Sequence, residues 1–148
     1  MFSLIKNTPF QFLRVLHNKI FLNCILCHRV KKRGRILEQN FKALIVYLIL
    51  NGETERALEM LAKHYSVDVP KTKVGLPKRH KKKSLGCYNA KNKTIFVLDS
   101  DTLKDPFIIL HEFYHHLRTA LDRKHKGTER YADEFSKEFI QAYNSTVR

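Results

Sequence analysis

The sequence predicts an α+β domain that is rich in helix and contains a small, mostly antiparallel sheet. Apolar residues recur at helical spacing in four segments, and short β-branched runs punctuated by glycine, proline and asparagine lie between the second and the third. A length of 148 residues suits one domain with its own core. The four predicted helices cover about residues 40–51, 54–66, 105–121 and 128–143.

Charge divides the chain into two predicted parts. The formal net charge is +14, and residues 1–37 hold eight basic residues and no acidic one. We therefore predict a basic, partly apolar N-terminal segment over residues 1–38 and a folded domain over residues 39–148. Because excess positive charge favours polyanions, non-specific nucleic acid and anionic membranes are predicted partners of the basic half.

Cysteine content and hydropathy indicate the compartment. Three cysteines are too few, and odd in number, for a disulfide framework, which favours a reducing environment. Charged residues interrupt the apolar N-terminal stretch, so no run reaches the roughly 20 residues that a membrane-spanning helix needs. The sequence therefore predicts a cytoplasmic protein, and we expect a monomer.

The first half of the chain is predicted to form two helices. The stretch "HRVKKRGR", which ends at Arg35, is typical of a charged linker, and Asn40 is the expected N-cap of the first helix. Asn51 and Gly52 supply a stop signal for that helix. The stretch "TERALEMLAKHY" has one apolar face at helical spacing, so we expect the two helices to pack as a hairpin.

Extended chain is predicted between the second and third helices. The stretch "SVDVPKTKVGLP" is typical of extended backbone, and "KRHKKK" of a charged loop. A strand, a turn at Asn89–Lys93 and a stronger strand at Thr94–Leu98 should follow. We hypothesise that the strand at Thr94–Leu98 is a sheet edge, along which an extended peptide can align by strand addition.

The third helix carries the residues with the clearest chemistry. Asp105 as N-cap and Pro106 at the first helical position are strong start signals, and the helix is nearly apolar all round. Within it, His111 and His115 are four residues apart on one face, and Glu112 lies about 100° round the helix. This H-E-x-x-H arrangement is typical of two zinc ligands and a general base. A metal would also satisfy polar groups that are costly to bury alone.

A third zinc ligand is expected from the last helix. Glu129 and Asp133, in "TERYADEF", are again four residues apart on one helical face. Glu129 can complete the ligand set of one zinc ion per chain, and Asp133 can accept a hydrogen bond from a ligand imidazole. His125, in the preceding loop, is the alternative third ligand. Thr128 is the expected N-cap of this helix.

The stretch "HEFYHH" followed by "ERYAD" resembles the pattern H-E-x-x-H…E-x-x-x-D of the thermolysin-like gluzincin metallopeptidases. In size and layout the chain resembles the small minigluzincins and the related ImmA/IrrE-type metallopeptidases, over residues 84–139 by motif and over residues 41–143 more loosely. The resemblance implies a zincin-like fold with an active-site helix, and zinc-dependent hydrolysis of a peptide or protein substrate. It also implies a role for each site residue: zinc ligands His111, His115 and Glu129, base Glu112, and orienting residue Asp133.

Other interpretations of these motifs stay open. The third helix can instead be a histidine-rich core helix; in either case His116 is expected to be solvated and Tyr114 to be a core tyrosine. The stretch "CILCH" (Cys24, Cys27 and His28) matches a haem attachment pattern, but no export signal accompanies it, so two free thiols are expected. The basic run Lys78–Lys83 is typical of a solvated loop, although it can steer acidic substrates or nucleic acid.

Two further hypotheses concern the chain as a whole. The first is that residues 1–37, being apolar and basic, cover the cleft and hold the enzyme latent. The second is an alternative function, in which a basic protein binds nucleic acid or a membrane surface and its zinc site is structural or vestigial. The peptidase is the preferred function, because the H-E-x-x-H motif is followed by Glu129 and Asp133, an acidic pair with the same spacing of four residues.

Overall fold

The computed structural model describes residues 30–77, 84–121 and 129–147, and within them it confirms the α+β class. Contacts divide the chain into two compact units, residues 1–40 and 41–148, and the candidate site lies in the second. The helices and strands follow in this order: α1 Val30–Leu50, α2 Thr54–Tyr65, β1 Lys71–Val74, β2 Gly86–Asn89, β3 Thr94–Val97, a short 3-10 helix Thr102–Lys104, α3 Pro106–Leu121 and α4 Glu129–Val147.

Helix α1 begins earlier than the sequence predicts. It starts at Val30 rather than Asn40, so the residues from Val30 to Arg35 are helical and the predicted linker is wrong there. The reason is propensity: apart from Gly34, the stretch before Asn40 is built mainly from residues that favour helix, and nothing in it stops the helix. Asn51 and Gly52 do end the helix, and Gly52 has the positive φ of 80° that glycine adopts readily.

The three strands form a mixed sheet, so the prediction of a mostly antiparallel sheet is wrong. The strand order is β1-β3-β2, with β3 parallel to β1 and antiparallel to β2. A turn over residues 90–93 joins β2 to β3 as a hairpin, and the longer connection before β2 leaves β1 on the other side of β3. The strand predicted to be an edge, at Thr94–Leu98, is therefore the central one, and its Ile95 and Val97 are fully buried.

One face of the sheet packs on α3, and this contact positions the candidate site. Gly86 and Tyr88 of β2 are aligned with Val97 and Ile95 of β3, so all four face the same side. The hydrophobic core on that side joins α1, α2, β3, α3 and α4. Its fully buried members include Ile45, Ile49, Leu58, Leu61, Ile95, Ile109, Leu110, Phe113 and Phe139.

Helices α3 and α4 pack against each other and hold most of the candidate site. Asp105 caps α3 as predicted, because its Oδ1 accepts hydrogen bonds from the backbone N of Phe107 at 2.9 Å and of Ile108 at 3.4 Å. Helix α4 continues to Val147, beyond the predicted end at residue 143. None of the helices in the described ranges is both long and apolar enough to cross a bilayer.

Candidate metal centre

Three side chains predicted to bind zinc converge between α3 and α4. His111 and His115 stand one turn apart on α3, and Glu129 is the first residue of α4. The Nε2 atom of His111 is 2.9 Å from Glu129 Oε2 and 3.2 Å from His115 Nε2. His115 Nε2 is 3.3 Å from Glu129 Oε1. The two helices thus bring together the group of residues that the sequence singled out.

These three side chains are close enough together to hold one metal ion. Zinc–nitrogen and zinc–oxygen bonds of about 2.0–2.1 Å place neighbouring ligand atoms about 3.3 Å apart in a tetrahedron. The contacts of 2.9, 3.2 and 3.3 Å, which involve both carboxylate oxygens of Glu129, are close to that value, and one ligand atom from each residue lies within 4.8 Å of the other two. Two imidazoles and one carboxylate are also the donor set of a catalytic zinc site, which keeps a fourth position for water or substrate.

Asp133 determines which nitrogen of His111 faces the cluster. Its Oδ1 lies 3.0 Å from His111 Nδ1. Because a carboxylate has no proton to donate, His111 Nδ1 is the donor in this contact, which leaves Nε2 as the ring nitrogen that could bind a metal. Nε2 points at His115 and Glu129, and a metal bound there would take the place of the proton that Nε2 otherwise donates to the Glu129 carboxylate. The contact is the carboxylate–histidine pairing that orients imidazole ligands in zinc sites.

His115 is held in the form that can bind a metal. Burial lowers its pKa, while the Glu129 carboxylate opposes that shift and His111 adds to it. A lowered pKa favours neutral imidazole, and only neutral imidazole ligates a metal. Glu129 is the most exposed of the three clustered side chains, with 77% of its side chain exposed. The cluster is therefore accessible from the Glu129 side.

Glu112 lies beside the cluster on the face of α3 that meets β2. The residue is only 7% exposed, and the backbone N–H of Tyr88 donates a hydrogen bond to its carboxylate. Burial raises the pKa of Glu112 to about 7, with His111 and the Tyr88 amide lowering it and Glu129 raising it. A carboxyl group with such a pKa exchanges its proton readily near neutral pH, which general acid–base chemistry requires.

The prediction that His116 is solvated is wrong, because the residue is fully buried. Its Nε2 lies 2.7 Å from the carbonyl oxygen of Asp68, and its Nδ1 lies 2.8 Å from the Tyr88 hydroxyl. Sequence reasoning missed this contact because Tyr88 is 28 residues away. One signal was present: His116 is four residues after Glu112, so the two share a helical face.

Of the remaining residues singled out in the sequence, the structure describes Tyr114 but not most of the others. Tyr114 is partly buried, with its ring 5.5 Å from that of Phe135. The alternative third ligand His125 and the expected cap Thr128 lie outside the described residues, as do the cysteine pair of "CILCH", the basic run Lys78–Lys83 and most of residues 1–37.

Comparison of this chain with protein-family models, with curated proteins and with solved structures found no match.

Proposed function

We propose that the protein is a zinc-dependent peptidase of the minimal gluzincin type. His111, His115 and Glu129 would hold one zinc ion, and Glu112 would be the general base. The observation that carries the proposal is the convergence of His111, His115 and Glu129 within hydrogen-bonding distances of one another, with Asp133 fixing the His111 tautomer. The zincin-like fold, a monomeric state and a cytoplasmic location belong to the same proposal.

The position of Glu112 favours a catalytic over a structural metal site. Structural zinc sites are closed by four protein ligands, whereas the described residues supply three here. Glu112 adds a buried carboxylate that does not belong to the ligand group and has a pKa of about 7. A site that only stabilised the fold would gain nothing from this carboxylate, because desolvating it is unfavourable.

The chain's residues have separate tasks in the proposed reaction. A bound zinc ion would polarise the scissile carbonyl and lower the pKa of a water molecule. Glu112 would accept a proton from that water and deliver it to the leaving amine. Asp133 would keep His111 in its ligating tautomer throughout.

A peptide is the substrate class that best suits the neighbouring sheet. Since β3 is central, the sheet edge beside Glu112 is β2. Edge strands bind extended peptides through their main-chain groups, and folded or compact small molecules gain nothing from such an edge. We therefore propose that an extended segment of a peptide or protein lies along β2, with its scissile bond near the metal, and bonds to main-chain groups of β2 other than the Tyr88 N–H, which Glu112 already occupies.

Metal content tests the ligand set first. Elemental analysis should find one zinc per chain in the purified protein and much less in Glu129→Ala, because two histidines bind zinc more weakly than three ligands do. Glu134→Ala is the matched control, since Glu134 is on the same helix and contacts Arg130 instead. Absence of zinc from both proteins would contradict the proposal. Zinc retained in Glu129→Ala would point to His125 or to the cysteine pair.

Replacement of the base tests the enzyme. Glu112→Gln keeps the size of the side chain and loses its ability to accept a proton. We expect hydrolysis of an unfolded protein substrate such as casein to fall by at least about a hundredfold, the lower range for general-base catalysis. Zinc content should stay at the wild-type level. Equal hydrolysis by the two proteins would show that Glu112 is not the base.

A nucleic-acid- or membrane-binding function is the second candidate, and the net charge of +14 favours it. Such binding would depend on basic residues, so it should weaken steeply between about 50 and 200 mM salt and be the same in Glu112→Gln as in the wild type. In that case a bound metal would stabilise the folded state and take no part in a reaction. The two functions therefore differ in what they require of Glu112.

A further inference from the structure

Two residues of β2 direct their backbone N–H and C=O groups to the edge of the sheet that faces away from β3. Leu98 N donates to Leu85 O at 2.9 Å, so this aligned pair is hydrogen-bonded. Hydrogen-bonded and non-hydrogen-bonded pairs alternate along antiparallel strands. The backbone groups of Gly86 and Tyr88 therefore point away from β3. In the described part of the chain, β2 is an edge strand, and the Glu112 carboxylate accepts the Tyr88 N–H at that edge.

Gly86 provides the space that Glu112 occupies. A Cβ atom at this position would lie 3.0 Å from Glu112 Oε1 and 3.1 Å from Glu112 Cγ. It would also lie 2.8 Å from Cγ2 of Ile108, one turn before Glu112 on α3. Any larger residue would therefore push β2 away from α3 or displace the carboxylate. The glycine is required by close approach of strand and helix rather than by backbone conformation.

A partly buried hydrogen bond holds the same strand at Tyr88, the next residue of β2 that faces α3. The carbonyl oxygen of Asp68 can only accept, so His116 donates from Nε2, and in the neutral ring Nδ1 accepts from the Tyr88 hydroxyl. The roles of all three groups are thus fixed. Since His116 is one turn after Glu112 on α3, this bond ties the Tyr88 side chain of β2 to the helix one turn from the carboxylate.

We propose that β2 is the positioning element for Glu112. Gly86 leaves space for the Glu112 carboxylate. The Tyr88–His116 hydrogen bond holds β2 where the Tyr88 amide can donate a hydrogen bond to that carboxylate. Gly86, Tyr88 and His116 are accordingly positioning residues. Their importance for catalysis rests on the proposed peptidase function. The positioning of Glu112 by β2 does not depend on that function.

Amide hydrogen exchange on the full-length protein tests the positioning without metal or substrate. The amide at position 88 points away from β3, so among the described residues its hydrogen bond to Glu112 is the one that protects it from exchange. It should exchange slowly in the wild type and at least about tenfold faster in Glu112→Ala, Tyr88→Phe and Gly86→Ala. Tyr143→Phe, which alters a partly buried tyrosine of α4, is the control and should leave that amide unchanged. Tyr88→Phe removes one hydroxyl group and keeps the test valid if Gly86→Ala does not fold.

Binding of acetohydroxamate to the zinc-loaded protein connects positioning to the site. A hydroxamate that binds zinc gives up a proton, and a carboxylate placed to accept that proton or a hydrogen bond strengthens the binding. Its affinity therefore depends on the position of Glu112. We expect about tenfold weaker binding in Tyr88→Phe and Gly86→Ala, the effect of losing one well-placed hydrogen bond to a charged group. Zinc affinity, measured by chelator competition, should stay within about twofold, because no zinc ligand is altered.

The outcomes separate the two proposals. Fast exchange of the position-88 amide in the wild type, or exchange unchanged by Tyr88→Phe, would overturn the positioning role, as would hydroxamate affinity unchanged by both variants. If the amide behaves as expected but the zinc-loaded wild type binds no hydroxamate and cleaves no peptide, β2 still positions Glu112 and the peptidase function is wrong.

Discussion

Helix α3 carries two pairs of ionisable side chains, and each pair has a different neighbour. His111 and His115 face α4 and meet Glu129. Glu112 and His116 face β2 and meet Tyr88. Both pairs are separated by four residues, which is why each shares one face. Under the proposed function, metal ligation and proton transfer would take place on adjacent faces of a single helix.

The role of Asp133 in orienting His111 gives a prediction for metal affinity. Asp133→Ala should weaken zinc binding by about 10–100-fold, because His111 Nδ1 loses the acceptor that fixes its tautomer. Asp133→Asn should have a smaller effect, since an amide oxygen can still accept the hydrogen bond. Competition with a chromogenic chelator measures both affinities.

Glu134→Ala is the control for this comparison, because Glu134 is the next residue on α4 and pairs with the exposed Arg130. Its zinc affinity should equal that of the wild type. An Asp133→Ala protein that binds zinc as tightly as Glu134→Ala would show that Asp133 does not orient a ligand.

At the scale of single elements, local sequence signals predicted helices better than they predicted the sheet. The cap at Asp105, the hairpin turn and the matched spacings on α3 and α4 depend on residues close in sequence, and all are present. The place of β1 next to β3 depends instead on pairing between two strands that do not follow each other in the sequence. No local pattern encodes that choice.

Burial of His116 shows the same limit within the candidate site. A histidine beside a metal motif is equally compatible with solvent exposure and with burial when only its neighbours in sequence are known. Two partners on other elements, Tyr88 and the carbonyl oxygen of Asp68, satisfy both ring nitrogens and make complete burial favourable. The start of α1 was missed for a different reason, because its charged residues suggested a linker although they favour helix.

The cap of α3 gives a prediction at the element scale. Asp105→Ala should destabilise the protein by about 1 kcal/mol, because the backbone N–H groups of Phe107 and Ile108 lose their acceptor. Urea denaturation of the zinc-free protein measures this difference. Asp105→Asn should be nearly neutral, since asparagine caps helices as well as aspartate does.

Asp101 provides the matched control for the cap. It occupies the capping position of the short 3-10 helix, but its side chain makes no capping hydrogen bond. Asp101→Ala should therefore change the free energy of unfolding by less than Asp105→Ala does. Equal losses in the two variants would mean that the hydrogen bonds of Asp105 contribute nothing specific.

At the scale of the whole molecule, three carboxylates of this basic chain lie together around His111 and His115. The formal net charge is +14, yet Glu112, Glu129 and Asp133 lie in or beside one histidine pair. Bringing these carboxylates together is unfavourable unless positive charge joins them. A bound divalent cation would supply that charge, so the folded state should bind zinc more tightly than the unfolded chain does.

This linkage predicts a melting temperature that depends on zinc. At a free zinc concentration a hundredfold above Kd, binding stabilises the folded state by about 2.7 kcal/mol, which for a chain of this length raises Tm by about 5–10 °C. Differential scanning calorimetry with zinc and with excess chelator measures the shift. Glu134→Ala should shift as the wild type does, and Glu129→Ala much less, because only the second variant loses a ligand. If zinc left the wild-type Tm unchanged, or shifted Glu129→Ala equally, the convergent side chains would not form a zinc site, and their closeness would reflect hydrogen bonding alone.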